Sequence, residues 1–270
     1  MIRDITIGQY YPADSILHRL DPRVKFIATI IFIASLFVSN TWTGYLAATV
    51  FLAAVIKISK VPFRFMIKGL KAIVVLLMIT LFFNMIFTPG EAIFHVWIIT
   101  ITKEGVVLAA RMGIRLIYLI IGSSVMTLTT TPNQLTDGLE RLLKPLEKIR
   151  VPVHDIAMMM SIALRFIPIL LEETDKIMKA QIARGADFEN GGLLKKIKSM
   201  VPLLVPLFVS AFRRANDLAL AMEARCYHGG EGRTQMKPLV YRKQDIFAYM
   251  ILSAYLAVCI LLRIYGGYLI

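Results

Sequence analysis

The residues with the clearest binding chemistry are two arginines, each at the end of the same short motif. Ala180–Arg184 and Ala221–Arg225 both follow the pattern Ala-x-x-Ala-Arg, 41 positions apart. Alanines three residues apart keep one helix face small, and arginine adds a planar, permanently charged group that suits bidentate contact with a carboxylate. An arginine at one helix end has a simpler explanation, because it complements the negative end of the helix dipole. Two such ends favour binding, to a pair of identical or similar partners.

Patterns for catalysis or cofactor binding are missing from the sequence. It contains neither a Gly-x-x-x-x-Gly-Lys-Ser/Thr loop for nucleotide phosphates nor a Gly-x-Ser-x-Gly nucleophile elbow. The four histidines are scattered, without the spacing of a metal site: His18, His95, His154 and His228. We therefore expect a non-catalytic chain that binds no cofactor and no metal.

Composition places the chain in a membrane. Of its 270 residues 57% are hydrophobic, and the mean hydropathy is +0.67, too apolar for an ordinary soluble domain. The net charge of +13 is best explained by lysine and arginine on the cytoplasmic side of a membrane, so no nucleic-acid partner is expected. Charges throughout residues 1–25 argue against a secretory signal peptide.

Hydropathy predicts an all-α polytopic protein with about five transmembrane helices. The stretch 26–56 carries no charge and is longer than one span needs, which predicts a hairpin of two short spans that turns at 40–44. The alternative is one long tilted helix. Three further apolar runs predict the other spans, at about 72–87, 105–128 and 246–262.

Charge predicts the orientation. Five basic residues and no acidic ones fall in 57–71, which we expect to be a short cytoplasmic loop, whereas 88–104 has few charges and suits an external loop. The N-terminus is then on the cytoplasmic side of the cell membrane and the C-terminus on the external side. The chain divides into 1–130 with the first four spans, a cytoplasmic region 131–245, and 246–270 with the last span and an external tail.

Arg111 and Arg115 are unusual because they lie inside the predicted fourth span. Four residues apart, they share one helix face. An intramembrane charge is a functional candidate by default. The plainer alternative is that both side chains extend to the interface or pair with other groups of the protein.

The region 131–245 predicts helices that carry the two arginine motifs. One begins after Pro152 and ends at Arg184 with Gly185 as its cap, and the next runs from about Leu193 to Arg225. Their first halves are apolar and their second halves amphipathic, so we expect both to start at the membrane face and run away from it. Three prolines are expected to bend these helices: Pro168, Pro202 and Pro206.

Several segments together resemble a known family. They are GQYYPADSILHRLDPRVKF (8–26), TTTP (129–132), ALRFIPILLEE (163–173) and the two Ala-Arg motifs. In this order they are similar to the energy-coupling transmembrane subunit, or T component, of energy-coupling factor (ECF) transporters. The resemblance implies long cytoplasmic coupling helices whose Ala-Arg-Gly ends dock on two ATP-binding cassette (ABC) ATPases. It also implies a small membrane-embedded substrate-binding partner, the S component, which captures a vitamin or, less expectedly, a transition-metal ion.

By this resemblance the docking residues are Ala183, Arg184 and Gly185 on one helix and Ala224 and Arg225 on the other. The second motif departs from the family pattern, because Cys226 replaces the usual glycine. Two alternatives stay open. One is a solute-translocating permease of a conventional ABC importer, and the other is a membrane enzyme that modifies lipids, with Arg111 and Arg115 as phosphate binders.

Overall fold

The computed structural model describes residues 10–39, 41–96, 99–186, 188, 192–229, 236 and 238–266. The chain divides into two units. The membrane unit comprises the described parts of Gly8–Gly138 and Leu239–Ile270, and the helix-pair unit those of Leu139–Pro238. Most of the described backbone is helical. The predicted all-α fold is confirmed, with one short β-hairpin as an addition.

The uncharged stretch 26–56 folds as two helices rather than one, which confirms the hairpin prediction. They are α2 (Pro22–Val38) and α3 (Trp42–Ser59). α2 starts where it does because the Asp21 carboxylate accepts a hydrogen bond from the backbone N–H of Arg23 at 2.9 Å. A proline at the first helical position also favours this start, since it has no N–H to satisfy.

The turn between α2 and α3 is tight. Thr41 caps α3 through a hydrogen bond from the backbone N–H of Gly44. A β-carbon at Gly44 would lie 2.9 Å from the β-carbon of Ser39, closer than such atoms approach, so the turn requires glycine here. Asn40, where the turn was expected to begin, lies outside the described residues.

The basic segment 57–71 is mostly helical, so the prediction of a loop was wrong. α4 (Phe63–Phe87) begins soon after α3 ends and leaves only 60–62 between the two helices. Lysine and arginine are good helix formers, and the charge rule that predicted their side of the membrane says nothing about backbone conformation. α4 is bent by 62° between Phe63–Lys71 and Ile73–Phe87, and its second segment matches the predicted third span.

The segment predicted to be external contains an antiparallel β-hairpin, β1 (Ala92–Val96) and β2 (Ile99–Thr102). α5 (Lys103–Thr129) follows directly and packs along α4. The hydroxyl of Thr102 caps α5, accepting a hydrogen bond from the backbone N–H of Gly105 at 3.1 Å.

α9 (Lys243–Gly266) closes the core of the membrane unit by packing against α2 and α3. The ring of Tyr255 stacks on that of Phe51 with centroids 4.2 Å apart. The Tyr255 hydroxyl shares a 2.8 Å hydrogen bond with the hydroxyl of Ser35, so the buried polar atom of this ring has a partner.

A group of buried polar residues joins α2, α5 and α9 where their ends meet, and we call it the polar knot. The Asp245 carboxylate accepts hydrogen bonds from the backbone N–H of Asp21 at 2.8 Å and of Arg242 at 2.7 Å. The Lys25 ammonium donates to the carbonyl oxygen of Thr129 at 2.8 Å. Because these groups are bonded, their burial is tolerated, and three helices are fixed at one face.

α6 (Pro132–Leu143) leads into the helix-pair unit and continues as a 3₁₀-helix, Lys144–Ile149. Two helices of 31 residues each then follow, α7 (Val153–Ala183) and α8 (Leu193–Glu223). Their bounds agree with the predicted helices to within two residues at each end. Each is about 46 Å long at 1.5 Å per residue.

Four described helices are long and apolar enough to cross a membrane, namely α3, α5, α7 and α9, and α4 is a fifth if its two segments form one span. The number agrees with the prediction, but the set differs. α2 has 17 residues and is not among these four, whereas α7 qualifies through its apolar first half. The second half of α7 carries a run of charges: Glu172, Glu173, Asp175, Lys176 and Lys179.

Candidate docking site at two helix ends

α7 ends in a backbone turn that leaves Arg184 at its tip. The N–H of Gly185 donates to the carbonyl oxygen of Ile182 at 2.9 Å, and the N–H of Ala186 to that of Gln181 at 3.0 Å. This pair of bonds is a Schellman motif, which requires a left-handed residue directly after the cap. Gly185 has φ +88° and takes this conformation without steric cost, so it ends the helix as predicted.

α8 ends in the same turn. The N–H of Cys226 donates to the carbonyl oxygen of Glu223 at 2.8 Å, and the N–H of Tyr227 to that of Met222 at 3.0 Å. Cys226 is left-handed, with φ +55°, as Gly185 is in the first motif. The replacement of glycine by cysteine therefore leaves the geometry of the second helix end unchanged.

Both arginines are presented to the surroundings in the same way. Arg184 and Arg225 are exposed, and so are Ala183 and Ala224 beside them. Among the described residues neither guanidinium takes part in an ion pair. Each helix end thus presents a guanidinium group next to a helix face made of small alanine side chains. This arrangement fits a groove on a partner that is lined with carboxylates.

A polar cluster joins α7 to α8, and we call it the clasp. One oxygen of the Glu173 carboxylate accepts a 2.5 Å hydrogen bond from the Ser210 hydroxyl. The other accepts from the Arg214 guanidinium at 2.9 Å and 3.3 Å. A second contact runs from the side-chain amide of Gln181 to the carbonyl oxygen of Pro202, at 3.2 Å. Periodicity in the sequence did not reveal the clasp.

These contacts show that α7 and α8 run past each other in opposite directions. Higher positions in α7 pair with lower positions in α8, since 173 meets 210–214 and 181 meets 202. The expectation that both helices run away from the membrane in the same sense was therefore wrong, because hydropathy does not determine the pairing of two helices. Arg184 and Arg225 lie at opposite ends of the pair, on the order of 40 Å apart along the helix axes.

The predicted bend residues lie inside unbroken helices, Pro168 in α7 and Pro202 and Pro206 in α8. A kink at each remains a prediction from the missing N–H of proline. Around the two prolines of α8 a row of large apolar side chains is exposed, and we call it the apolar ridge: Val201, Leu204, Val205, Phe208, Val209 and Phe212. Their spacing of three or four residues puts most of them on one side of the helix.

Arg111 and Arg115 lie in α5 of the membrane unit, and both are half-buried. The Arg115 guanidinium carbon lies 5.2 Å from the centre of the Phe37 ring, a cation–π contact, and one of its nitrogens lies 3.8 Å from the sulfur of Met112. Arg115 therefore contacts side chains of the protein, in line with the plainer prediction. In the part of the chain that the structure describes, no three His, Cys, Asp or Glu residues are placed to hold a metal ion.

Comparison with known proteins agrees with this architecture. A family model described as "CbiQ: Cobalt transport protein" matches residues 13–236. A Clostridium kluyveri protein named "Energy-coupling factor transporter transmembrane protein EcfT" is 54% identical over 269 residues, which cover 99% of this chain and 100% of the relative. Proteins with the same name from Acidaminococcus fermentans and Bacillus subtilis are 49% and 46% identical, over 97% and 95% of this chain and 98% of each relative.

These relatives are named as the transmembrane protein of a transporter, a non-catalytic role that agrees with the missing catalytic patterns. The Clostridium kluyveri alignment covers 99% of the chain and therefore spans both units. The chain belongs to the family of energy-coupling factor transporter transmembrane proteins.

Proposed function

We propose that this chain is a scaffold that couples two ABC ATPase subunits to one substrate-binding S component. The observation that carries the proposal is the pair of identical helix ends. Each presents an exposed arginine on a Schellman turn, and the two lie at opposite ends of a clasped helix pair. Two ends of the same geometry suit two ATPases of similar surface, one for each arginine.

The clasp gives the pair of helices a way to transmit movement. ATP binding draws the two ATPases together, and a helix anchored on each is displaced with its ATPase. Glu173 is 11 residues from Arg184, and Arg214 is 11 residues from Arg225. The clasp is therefore about 16 Å from each docking end along its helix, so equal displacements of the two ATPases act on it symmetrically.

The apolar ridge is the surface that meets the S component. It is a continuous exposed row of valine, leucine and phenylalanine on a helix that also carries charges, and such a surface favours a membrane-embedded partner. When α8 moves, the ridge moves under the S component and alters its position in the bilayer. The substrate binds to the S component and not to this chain.

The transported substrate is a vitamin in this proposal. The second candidate is a transition-metal ion, because the matching family model is described as a cobalt transport protein. Uptake assays with the complete complex distinguish the two, since a labelled vitamin and a labelled metal ion are measured separately.

We place the helix-pair unit and the N-terminus in the cytoplasm of a bacterial cell and the β-hairpin outside. The basic segment 57–71 supports this orientation, since lysine and arginine accumulate on the cytoplasmic side. α7 then lies at the membrane face with its apolar first half and does not cross. A conventional ABC permease would instead pair with a second copy, so one copy per two ATPases in the purified complex supports the scaffold, and two copies support the permease.

Charge reversal at the two ends tests the proposal. Loss of one partner from a desolvated, hydrogen-bonded charge pair costs about 2–5 kcal/mol, so Arg184→Glu and Arg225→Glu should each weaken ATPase binding, and the double change should abolish it. Lys179→Glu is the matched control, because Lys179 is exposed on α7 but away from the tip. Lysine at either arginine position keeps the charge but not the fork, so partial binding is expected.

The measurements are ATPase pull-down and substrate uptake, with membrane insertion checked for every variant. A double Glu variant that retained both ATPases and full uptake would show that the arginines are ordinary helix ends.

A further inference from the structure

The membrane unit contains a half-open apolar cavity of about 500 Å³ that the proposed docking does not use. It lies among α2, α3, α5 and α9, and α1 (Ile16–Arg19) contributes to its rim. Volumes of 300–1,000 Å³ are typical of ligand sites. Apolar cavities of this kind do not hold stable water, so the natural occupant is an apolar group.

Aromatic rings close the deep end of the cavity. The rings of Phe32 and Phe51 line it and lie 5.9 Å apart. Gly122 is needed beside them, since a β-carbon there would lie 2.7 Å from the Phe32 ring. From Phe32 to Lys25 at the other end, α2 advances by seven residues, or about 10 Å. The cavity therefore spans much of the ~15 Å of hydrocarbon in one leaflet.

The opposite end of the cavity is positively charged. Its polar lining there includes Lys25, Lys243 and Gln244, and among the described residues no Asp or Glu lines the cavity. The Lys25 ammonium is buried and donates to the carbonyl oxygens of His18 and Thr129, which use two of its three protons. Lys243 is exposed at the start of α9. The carboxylates of Asp21 and Asp245 lie near Lys25 but do not line the cavity, and they are bonded to Arg23 and to backbone N–H groups. An anionic group inside this end of the cavity would therefore meet two lining cations.

We infer that the cavity holds one acyl chain of an anionic glycerophospholipid, with the lipid phosphate at Lys243 and Lys25. The apolar deep end of the cavity accommodates the acyl chain, and the open side lets the rest of the lipid stay in the bilayer. The two lysines at the basic end favour an anionic headgroup. The helix ends that form the basic end lie on the same face as the segment 57–71, so the lipid belongs to the cytoplasmic leaflet. That assignment of leaflet rests on the proposed orientation.

A lipid-crosslinking experiment tests this inference. The complete complex is placed in vesicles of phosphatidylcholine that contain a trace of phosphatidylglycerol with a photoreactive diazirine in its acyl chain. Crosslinks located by mass spectrometry should concentrate on the cavity lining, at Val125, Met126 and Ile251. The same probe with a phosphatidylcholine headgroup should label these residues several-fold less.

Matched variants sharpen the test. Ala248 lines the cavity, whereas Ala254 is exposed on the same helix and does not. Ala248→Phe should reduce cavity labelling roughly tenfold, because it excludes about two methylenes of the chain, and Ala254→Phe should leave it unchanged. Lys243→Gln should remove the preference for phosphatidylglycerol, and Arg242→Gln should preserve it, since Arg242 does not line the cavity.

Three results would overturn the inference. The first is labelling spread evenly over the lipid-facing side of α9, which would show bulk lipid only. The second is equal labelling by both headgroup probes. The third is cavity labelling of the isolated chain that disappears in the complete complex, which would mean that a protein segment fills the cavity. If Ala248→Phe fails to assemble, the wild-type crosslink map and Lys243→Gln decide. ATPase pull-down by these variants should be normal, which separates this test from that of docking.

Discussion

Cys226 adopts the same left-handed backbone conformation as Gly185, although only glycine takes it without strain. A side chain in this region costs about 1–2 kcal/mol, and the loss is partly balanced because cysteine has fewer unfolded conformations than glycine. Cys226→Gly should therefore stabilise the end of α8 by about 0.5–1 kcal/mol. Hydrogen exchange of the peptide around 220–229 should become slower.

Gly185→Ala is the reciprocal variant. No atom of the described residues lies within 4 Å of a β-carbon built at Gly185, so the effect of the alanine comes from backbone strain. Amide hydrogen exchange at the end of α7 should become faster in Gly185→Ala. The change should be about as large as the slowing at the end of α8 in Cys226→Gly. Faster exchange in Cys226→Gly would contradict the equivalence of the two helix ends.

The clasp should control how α7 and α8 sit together. Glu173→Gln removes a charge that accepts hydrogen bonds from Ser210 and Arg214, and charge-assisted hydrogen bonds of this kind contribute about 1.5–3 kcal/mol. Arg214 is 40% exposed, so solvent screening places the expected loss at the lower end of that range or below it. Crosslinking between cysteines at 177 and 207 should become less specific.

Glu172→Gln is the control for the clasp, because Glu172 is the exposed neighbour of Glu173 on the same helix. It removes the same charge without touching α8. If both glutamine variants uncoupled uptake from ATP hydrolysis to the same degree, the clasp would have no special role.

Acid should destabilise the membrane unit through Asp21. Burial raises the pKa of this carboxyl, but hydrogen bonds from the Arg23 side chain and backbone and the charge of Arg23 outweigh it and hold the pKa below its ordinary value. The resulting stability is present above the unfolded pKa of about 4 and is lost as the pH falls through the lower folded value.

Asp21→Asn should therefore flatten the fall in the thermal unfolding midpoint as the pH is lowered below about 4. Asp14→Asn serves as the control, since Asp14 pairs with Arg19 at the surface, where both side chains are exposed. An unfolding midpoint that depends on pH to the same extent in wild type and Asp21→Asn would refute this assignment.

The prolines of α8 should bend it. Pro202→Ala together with Pro206→Ala restores two backbone N–H groups and removes two clashes with the preceding turn, so the helix should straighten. The distance between spin labels at Lys198 and Phe212 should increase. Uptake should fall more than ATPase binding does, and unchanged uptake would mean that the bend is incidental.

Orientation is tested by labelling with a membrane-impermeant maleimide in intact cells, on a chain whose two native cysteines have been replaced. A cysteine at Lys60 should be protected, and one at Gly90 should react, because the first lies in the basic segment and the second before the β-hairpin. Reaction at position 60 from outside the cell would invert the topology.

The ends of the long helices could be predicted from local chemistry. Pro152 before α7 and Gly185 after it are strong start and stop signals, and the structure places the helix between them. The hairpin of α2 and α3 could be predicted because the uncharged stretch 26–56 is longer than one membrane span needs. Such features depend on residues near in sequence, so one sequence is enough to predict them.

The clasp and the left-handed Cys226 could not be predicted in the same way. Glu173 and Arg214 are 41 residues apart, and their meeting depends on how two helices cross, which hydropathy does not specify. Cysteine has no preference for a left-handed turn, so only the tertiary context and the repeat of the motif point to that conformation. The helical structure of 57–71 was missed because charge predicted only its side of the membrane.

The polar knot has a consequence for the order of synthesis. The backbone N–H of Asp21 is bonded to Asp245, 224 residues later in the chain. At 5–20 residues per second, the ribosome needs about 10–45 s to make the intervening segment, and during this time the start of α2 lacks that acceptor. The contact between the start of α2 and α9 therefore forms last. The helix-pair unit is synthesised before the membrane unit can be completed. Chains that stop before α9 should leave the backbone N–H of Asp21 without this acceptor and be degraded as unfinished membrane proteins.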